Sequence, residues 1–157
     1  MPEPRLFLDA DGVLADFDEG ATRLLGMSPR DYERKHGRGV FWKRLAQATN
    51  FYGTLSEMPD ARLLFDAVRH LDPTILTGLP LGRWAAPQKI EWAAEHFPGV
   101  PIITCMARDK HKHMRAGDVL VTIAKTTAPP MKRRASSSSI TRAPRTASGS
   151  WRRSSRR

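Results

Sequence analysis

Asp9 and Asp11 stand two residues apart, at the end of the apolar run Leu6-Phe7-Leu8 and directly before Gly12. Alternate residues of a strand share a face, so two carboxylates at this spacing leave the strand end on the same side. Held close together they repel, and one stays protonated at neutral pH unless a cation lies between them. That conflict suits two kinds of chemistry. A divalent metal can be held by both groups, or one carboxylate can attack an electrophile while the other moves a proton. Gly12 allows the tight turn that brings backbone N–H groups toward a ligand. A pair of solvated loop aspartates is the plain alternative, and the apolar residues on both sides, Leu6 to Leu8 and Val13-Leu14, argue against it.

The stretch Asp9-Ala10-Asp11-Gly12-Val13-Leu14-Ala15-Asp16-Phe17 resembles the first motif of the haloacid dehalogenase (HAD) superfamily of phosphohydrolases. Its Gly-Val-Leu-Ala-Asp-Phe continuation is most similar to the 5'(3')-deoxyribonucleotidase branch. The resemblance implies that Asp9 attacks phosphorus to form an aspartyl-phosphate, and that Asp11 protonates the leaving oxygen and then activates water. It implies Mg²⁺ as cofactor, held by Asp9, the backbone carbonyl of Asp11 and an acid of a fourth motif. Thr77 and Gly78 match a second motif, a hydroxyl and backbone donors aimed at the phosphoryl oxygens. For the third motif, a lysine that neutralises phosphate and nucleophile, Lys89 is preferred over Arg83, because the adjacent Ile90 marks the buried face of the helix and leaves Lys89 flanking it. The implied substrate is a small phosphomonoester, a nucleoside monophosphate in that branch, with Phe17, Phe41, Trp42 and Trp84 as candidates for stacking on a base. The resemblance covers residues 5–121. The fourth-motif acid is missing, since Val121 is followed by Thr122-Ile123, and Asp118 lies at the wrong end of its strand to replace it.

The elements that must position these residues alternate. Ser28-Pro29 followed by Asp31 reads as a helix start and Gly37 as its stop, and residues 41–48 read as a second helical stretch. Pro59-Asp60 opens another helix with Leu64, Val68 and Leu71 on one apolar face. Residues 73–78 read as a strand, residues 86–97 as a helix burying Ile90, Ala94 and Phe97, and residues 100–105 and 118–121 as further strands. Strands alternating with helices, without hairpin signals, predict an α/β fold with a parallel sheet and its site at the strand C-termini. Within the resemblance this is a HAD-like Rossmannoid sheet with helices on both faces, a small helical cap inserted at residues 18–58, and an incomplete C-terminus.

The chain of 157 residues carries a formal charge of +10, which invites a nucleic-acid reading. The charge is not spread, however. Residues 1–121 hold 16 Lys/Arg against 16 Asp/Glu, whereas residues 122–157 hold ten Lys/Arg and no acid. That tail, rich in Ser, Thr, Pro, Ala and Arg, has too few apolar residues to bury a core and is expected to be disordered. It reads as a nucleic-acid-binding arm, a solubilising extension, or the product of translation out of frame. Codon arithmetic favours the last: if one nucleotide is lost near the Val121 codon, residues 122–127 permit Asp-Asp-Arg-Glu-Asp-Asp, which supplies the missing acids. In the same frame Ser136 to Ser139 permit an apolar strand, and residues 146–157 permit a helical pattern.

The function expected is therefore a Mg²⁺-dependent phosphomonoester hydrolase. A noncatalytic phosphate-binding relic and a basic nucleic-acid-binding protein are the alternatives, and the neutrality of residues 1–121 speaks against the latter. No leader pattern or long apolar run is visible, so a cytoplasmic protein without membrane contact is expected. Cys105, alone in the chain, reads as a packed thiol, and the basic stretch around His111 and His113 as a solvated loop rather than a metal site.

Overall fold

The computed structural model describes residues 2–123 and 138–142. Its centre is β1 (Leu6–Leu8), paired in parallel with β2 (Thr74–Leu79) on one side and β4 (Val119–Ile123) on the other. Strand β3 (Ile102–Met106) lies parallel to β2, giving the order β3-β2-β1-β4 with β5 (Ser138–Arg142) outside β4. These strands are almost continuously apolar because both sheet faces are covered. Leu8, Ile75 and Val121 point to the face packed by α4 (Ala61–Val68) and α5 (Ala85–His96), through Leu64, Phe65, Val68, Trp92 and Ala93. Phe7, Leu76 and Leu120 point the other way and pack with Ile103, Cys105 and Met114. The predicted α/β architecture, with parallel strands and intervening helices, is the one observed.

Between β1 and β2 the chain makes α1 (Phe17–Leu25), α2 (Pro29–His36) and α3 (Arg38–Gln47), then returns through a 3-10 turn at Tyr52–Thr54. Ser28 caps α2 by accepting from the Asp31 amide at 3.1 Å, Pro29 opens it and Gly37 closes it, as the sequence signals require. This insertion joins the core at a narrow neck, where the Asp16 amide donates to Ser56 O and the Met58 amide to Leu14 O, both at 2.8 Å.

Three expectations are corrected. In α5 the buried residues are Ala85, Lys89, Trp92 and Ala93, while Ile90 is 47% exposed and Ala94 is exposed as well; of the expected trio only Phe97, just past the helix, is buried. The helix is turned so that Trp92 can donate its indole N–H to Leu55 O at 2.8 Å and Lys89 can reach the strand ends, and these polar demands outweigh the burial of one isoleucine. Leu71 is exposed, because the chain leaves α4 for a 3-10 turn at Arg69–Leu71 and rotates that side chain off the apolar face.

The third correction concerns the tail. Strand β4 continues through Thr122 and Ile123, and residues 138–142 form β5, antiparallel to β4 in the register Val121↔Ile140. A strand can be held by its backbone ladder alone, and the exposed Ile140 shows that this one adds hydrogen bonds rather than apolar burial. The rest of the expected disorder, at residues 124–137 and 143–157, falls outside the described residues, as do the Ser136 and 146–157 readings.

Asp118 ties β4 to the start of β1. Its 1% exposed carboxylate accepts from the Arg5 amide (2.9 Å), Arg5 Nε (3.2 Å) and Nη2 (2.8 Å), and the Arg115 amide (2.7 Å). Burial by itself would raise its pKa, but these bonds and the Arg5 charge outweigh it and hold the carboxyl at about 2. Because the folded value lies below the ordinary value of about 4, the stabilisation is present above pH 4 and is lost as pH falls toward 2, an effect of roughly 2 kcal/mol. Asp118→Asn should lower the unfolding free energy by about 2–3 kcal/mol near neutrality and flatten its acid dependence. Urea denaturation of both proteins between pH 3 and pH 7 checks both expectations.

Candidate active site

The strand C-termini converge on the loop that follows β1. The Asp9 amide donates to Val121 O at 2.9 Å, extending the β1–β4 ladder by one residue, and the chain then coils tightly. Ala10 O accepts from the amides of Val13, Leu14 and Ala15, at 3.2, 2.9 and 2.9 Å, and the Gly12 amide donates to Ala15 O at 2.8 Å. Gly12 sits at φ +78°, a conformation that favours glycine, and a Cβ there would lie 2.6 Å from Ile123 Cδ1 and push that side chain aside.

Each carboxylate has a lysine of its own. Asp11 Oδ2 accepts from Lys89 Nζ at 2.8 Å, and Asp9 Oδ2 meets Lys110 Nζ at 2.9 Å. Lys89, only 4% exposed, also donates to Thr77 Oγ1 and Gly78 O, both at 2.9 Å, so all three of its N–H groups are used. Its ammonium lies 4.4 Å from the centre of the Tyr52 ring, which adds a cation–π contact from the returning insertion. Lys89 thus spends itself positioning Asp11. The expectation that it neutralises the nucleophile is not what this geometry shows, since the ammonium against Asp9 is that of Lys110.

Lys110 comes from a 3-10 segment, Ala107–His113, immediately after β3. Residues three apart eclipse in such a turn. Here Asp109 and Lys112 pair with each other at 3.1 Å on the outside while Lys110 turns inward. Its place after a parallel strand was the usable sequence signal, and the basic, polar residues around it disguised it. His111 is exposed, and among the described residues no three His, Cys, Asp or Glu side chains gather as a metal site.

Thr77, almost wholly buried, turns its hydroxyl oxygen toward Lys89, and Gly78 offers its carbonyl to the same ammonium. A Cβ on Gly78 would sit 3.1 Å from Ala107 Cβ, so this glycine lets the Lys110 segment come close. Of the aromatic candidates, Phe41 is 3% exposed, enclosed by Phe17, Tyr32 and Trp42 at centroid distances of 6.4, 6.4 and 5.0 Å. It is core of the insertion and has no free face. Phe17 and Trp42 are half-buried in the same cluster, 6.2 Å apart, while Trp84 stacks separately on Tyr52 at 5.4 Å.

Burial raises the pKa of Asp11 despite the charge and hydrogen bond of Lys89, and the nearby Asp9 pushes it further up. Its Oδ1 is buried without a partner among the described residues, the place for a proton or a ligand atom. Asp18, in the first turn of α1, is raised too, by burial and by the charges of Asp16 and Asp11, a neighbour that sequence patterning did not single out.

The magnesium ion implied by the resemblance does not suit the residues present. Mg²⁺ takes hard, anionic oxygen ligands. Asp9 and Asp11 are each matched by an ammonium, and the third position is filled by Thr122, a neutral hydroxyl that donates to Asp9 Oδ2 at 3.0 Å.

No family model and no curated protein sequence matches the chain. A solved structure of a dehalogenase is similar to it, with 15% identity and a TM-score of 0.38, over 70% of this chain and 64% of that one. The match therefore spans less than two thirds of the other protein's length.

Proposed function

We propose that the chain carries a HAD-type hydrolase centre for a small phosphomonoester, with a nucleoside monophosphate as the preferred substrate. The observation that supports this reading is the pair of carboxylates at the end of the central strand, each held by a separate lysine. In the proposed reaction an Asp9 oxygen attacks phosphorus, the bond from phosphorus to the leaving oxygen breaks, and Asp11 gives that oxygen its proton. The ionised Asp11 then takes a proton from water as the water attacks the aspartyl-phosphate, which frees phosphate and restores Asp9. Lys110, with two N–H groups beyond its Asp9 contact, is placed to receive phosphoryl oxygens. Phe17 and Trp42 remain the proposed contacts for a base.

One observation favours a second reading, a phosphate-binding chain with little turnover. The Thr122 hydroxyl places its proton on the nucleophilic carboxylate where a third acid is expected. That reading agrees with translation out of frame beyond Val121, since the other frame permits Asp-Asp at 122–123. Both proteins can be made and compared on nucleoside monophosphates. The frame-restored chain should release phosphate at least ~10–100-fold faster, the usual cost of losing even an outer partner of such a site. Asp9→Asn should reduce turnover of the faster protein by at least ~10³-fold. Undiminished hydrolysis by Asp9→Asn would overturn the assignment of the nucleophile.

Asp11 must start protonated to act as the acid, so the rate should fall as pH rises through its raised pKa. Lys89→Met removes the charge and hydrogen bond that restrain that pKa and should move the fall to higher pH. Phosphate-release profiles, taken on variants whose circular dichroism shows them folded, check the direction.

A further inference from the structure

We infer that residue 122 sets the metal requirement of this centre, and that in this chain the Lys110 ammonium holds the electrostatic place of a divalent cation at Asp9. The inference rests on Asp9 and Asp11 being the reactive pair, as proposed above, and concerns what neutralises them.

Asp11 meets the Lys89 ammonium at 2.8 Å and Asp9 the Lys110 ammonium at 2.9 Å, so each carboxylate already faces a cation. A dication entering here must displace an ammonium from a carboxylate in a low-dielectric site, where both contacts are strong. Thr122 is the residue whose side chain decides this. Its backbone is fixed by parallel β4 on one side of the nucleophile, through the Asp9 amide bond to Val121 O, and by the antiparallel pairing Thr122↔Ser139. Its Oγ1 lies 3.0 Å from Asp9 Oδ2, so a carboxylate built on the same Cβ reaches the same neighbourhood with charge added. Residue 123 offers no acid either: Ile123 lies against Gly12 in the catalytic turn. One substitution at 122 therefore places a third carboxylate beside Asp9 and Asp11, the oxygen donor set a hard cation needs.

The experiment uses the full chain, without any phosphate ester. Mg²⁺ and Mn²⁺ are titrated into the wild type, Thr122→Asp and Thr122→Asn, with calorimetry, Mn²⁺ electron paramagnetic resonance and thermal unfolding as readouts. The wild type and Thr122→Asn should show no saturable binding up to 10 mM and no rise in Tm beyond a matched NaCl control, a range chosen as roughly the weakest useful affinity. Thr122→Asp should show a saturable isotherm and a Tm raised by about 3 °C at tenfold excess over its Kd. Saturable binding to the wild type that disappears in Asp9→Asn overturns the inference, whether or not Thr122→Asp folds. A folded Thr122→Asp that binds neither ion overturns it as well. Since no ester is present, failure of the phosphohydrolase reading would show in the turnover assays and leave these titrations unaffected.

Discussion

An ammonium buried almost completely must find an acceptor for every N–H it carries, and Lys89 is the point from which this structure can be understood. Its three acceptors come from two strand ends: Asp11 from the loop after β1, Thr77 and Gly78 from the end of β2. The helix that carries it is thereby turned and seated, with Trp92 anchoring to the returning insertion and Tyr52 closing over the charge. Removing any one acceptor would leave a buried charge partly unpaired, the costliest kind of defect in a small domain. The loop after β1, the central sheet and the insertion are locked to each other through one side chain.

The second lysine divides the labour. Lys89 has no donor left to offer and holds Asp11, whereas Lys110 meets only Asp9 among the described residues. Two carboxylates separated by sequence spacing alone would share their protons. Separate cations make them unlike instead: Asp9 meets Lys110, while Asp11 is held by Lys89 and its pKa is raised by desolvation. The proposed division into nucleophile and acid rests on this asymmetry.

Much of this was legible in the sequence, and the omissions have physical causes. The strand before Asp9 and the Ser28-Pro29 start were readable because local patterning and geometry coincide there. Beside Lys89, Ile90 suggests the buried face of the helix, but that face is set by polar contacts made across the fold, which periodicity does not record. The solvated neighbours of Lys110 hide it in the sequence, and only the 3-10 geometry turns it inward. Phe41 reads equally well as a binding aromatic or as core, and the choice depends on packing partners within α1 to α3. Strand β5 carries almost no apolar signal, and its ladder with β4 is invisible to composition.

The separation of 113 residues between Asp9 and Thr122 has a consequence for how the molecule comes into being. The central strand precedes every other described element in the chain, yet its neighbour β4 follows β2, β3 and the helices between them. Until that distant partner arrives, β1 can pair only with β2, and its other edge stands open. Contacts this remote in sequence are slow to close and leave apolar strands exposed to other chains in the meantime. The surroundings of Asp9 are complete only once β4 has paired with β1, and a nascent chain that stalls before residue 119 would present an unfinished sheet edge to whatever holds it.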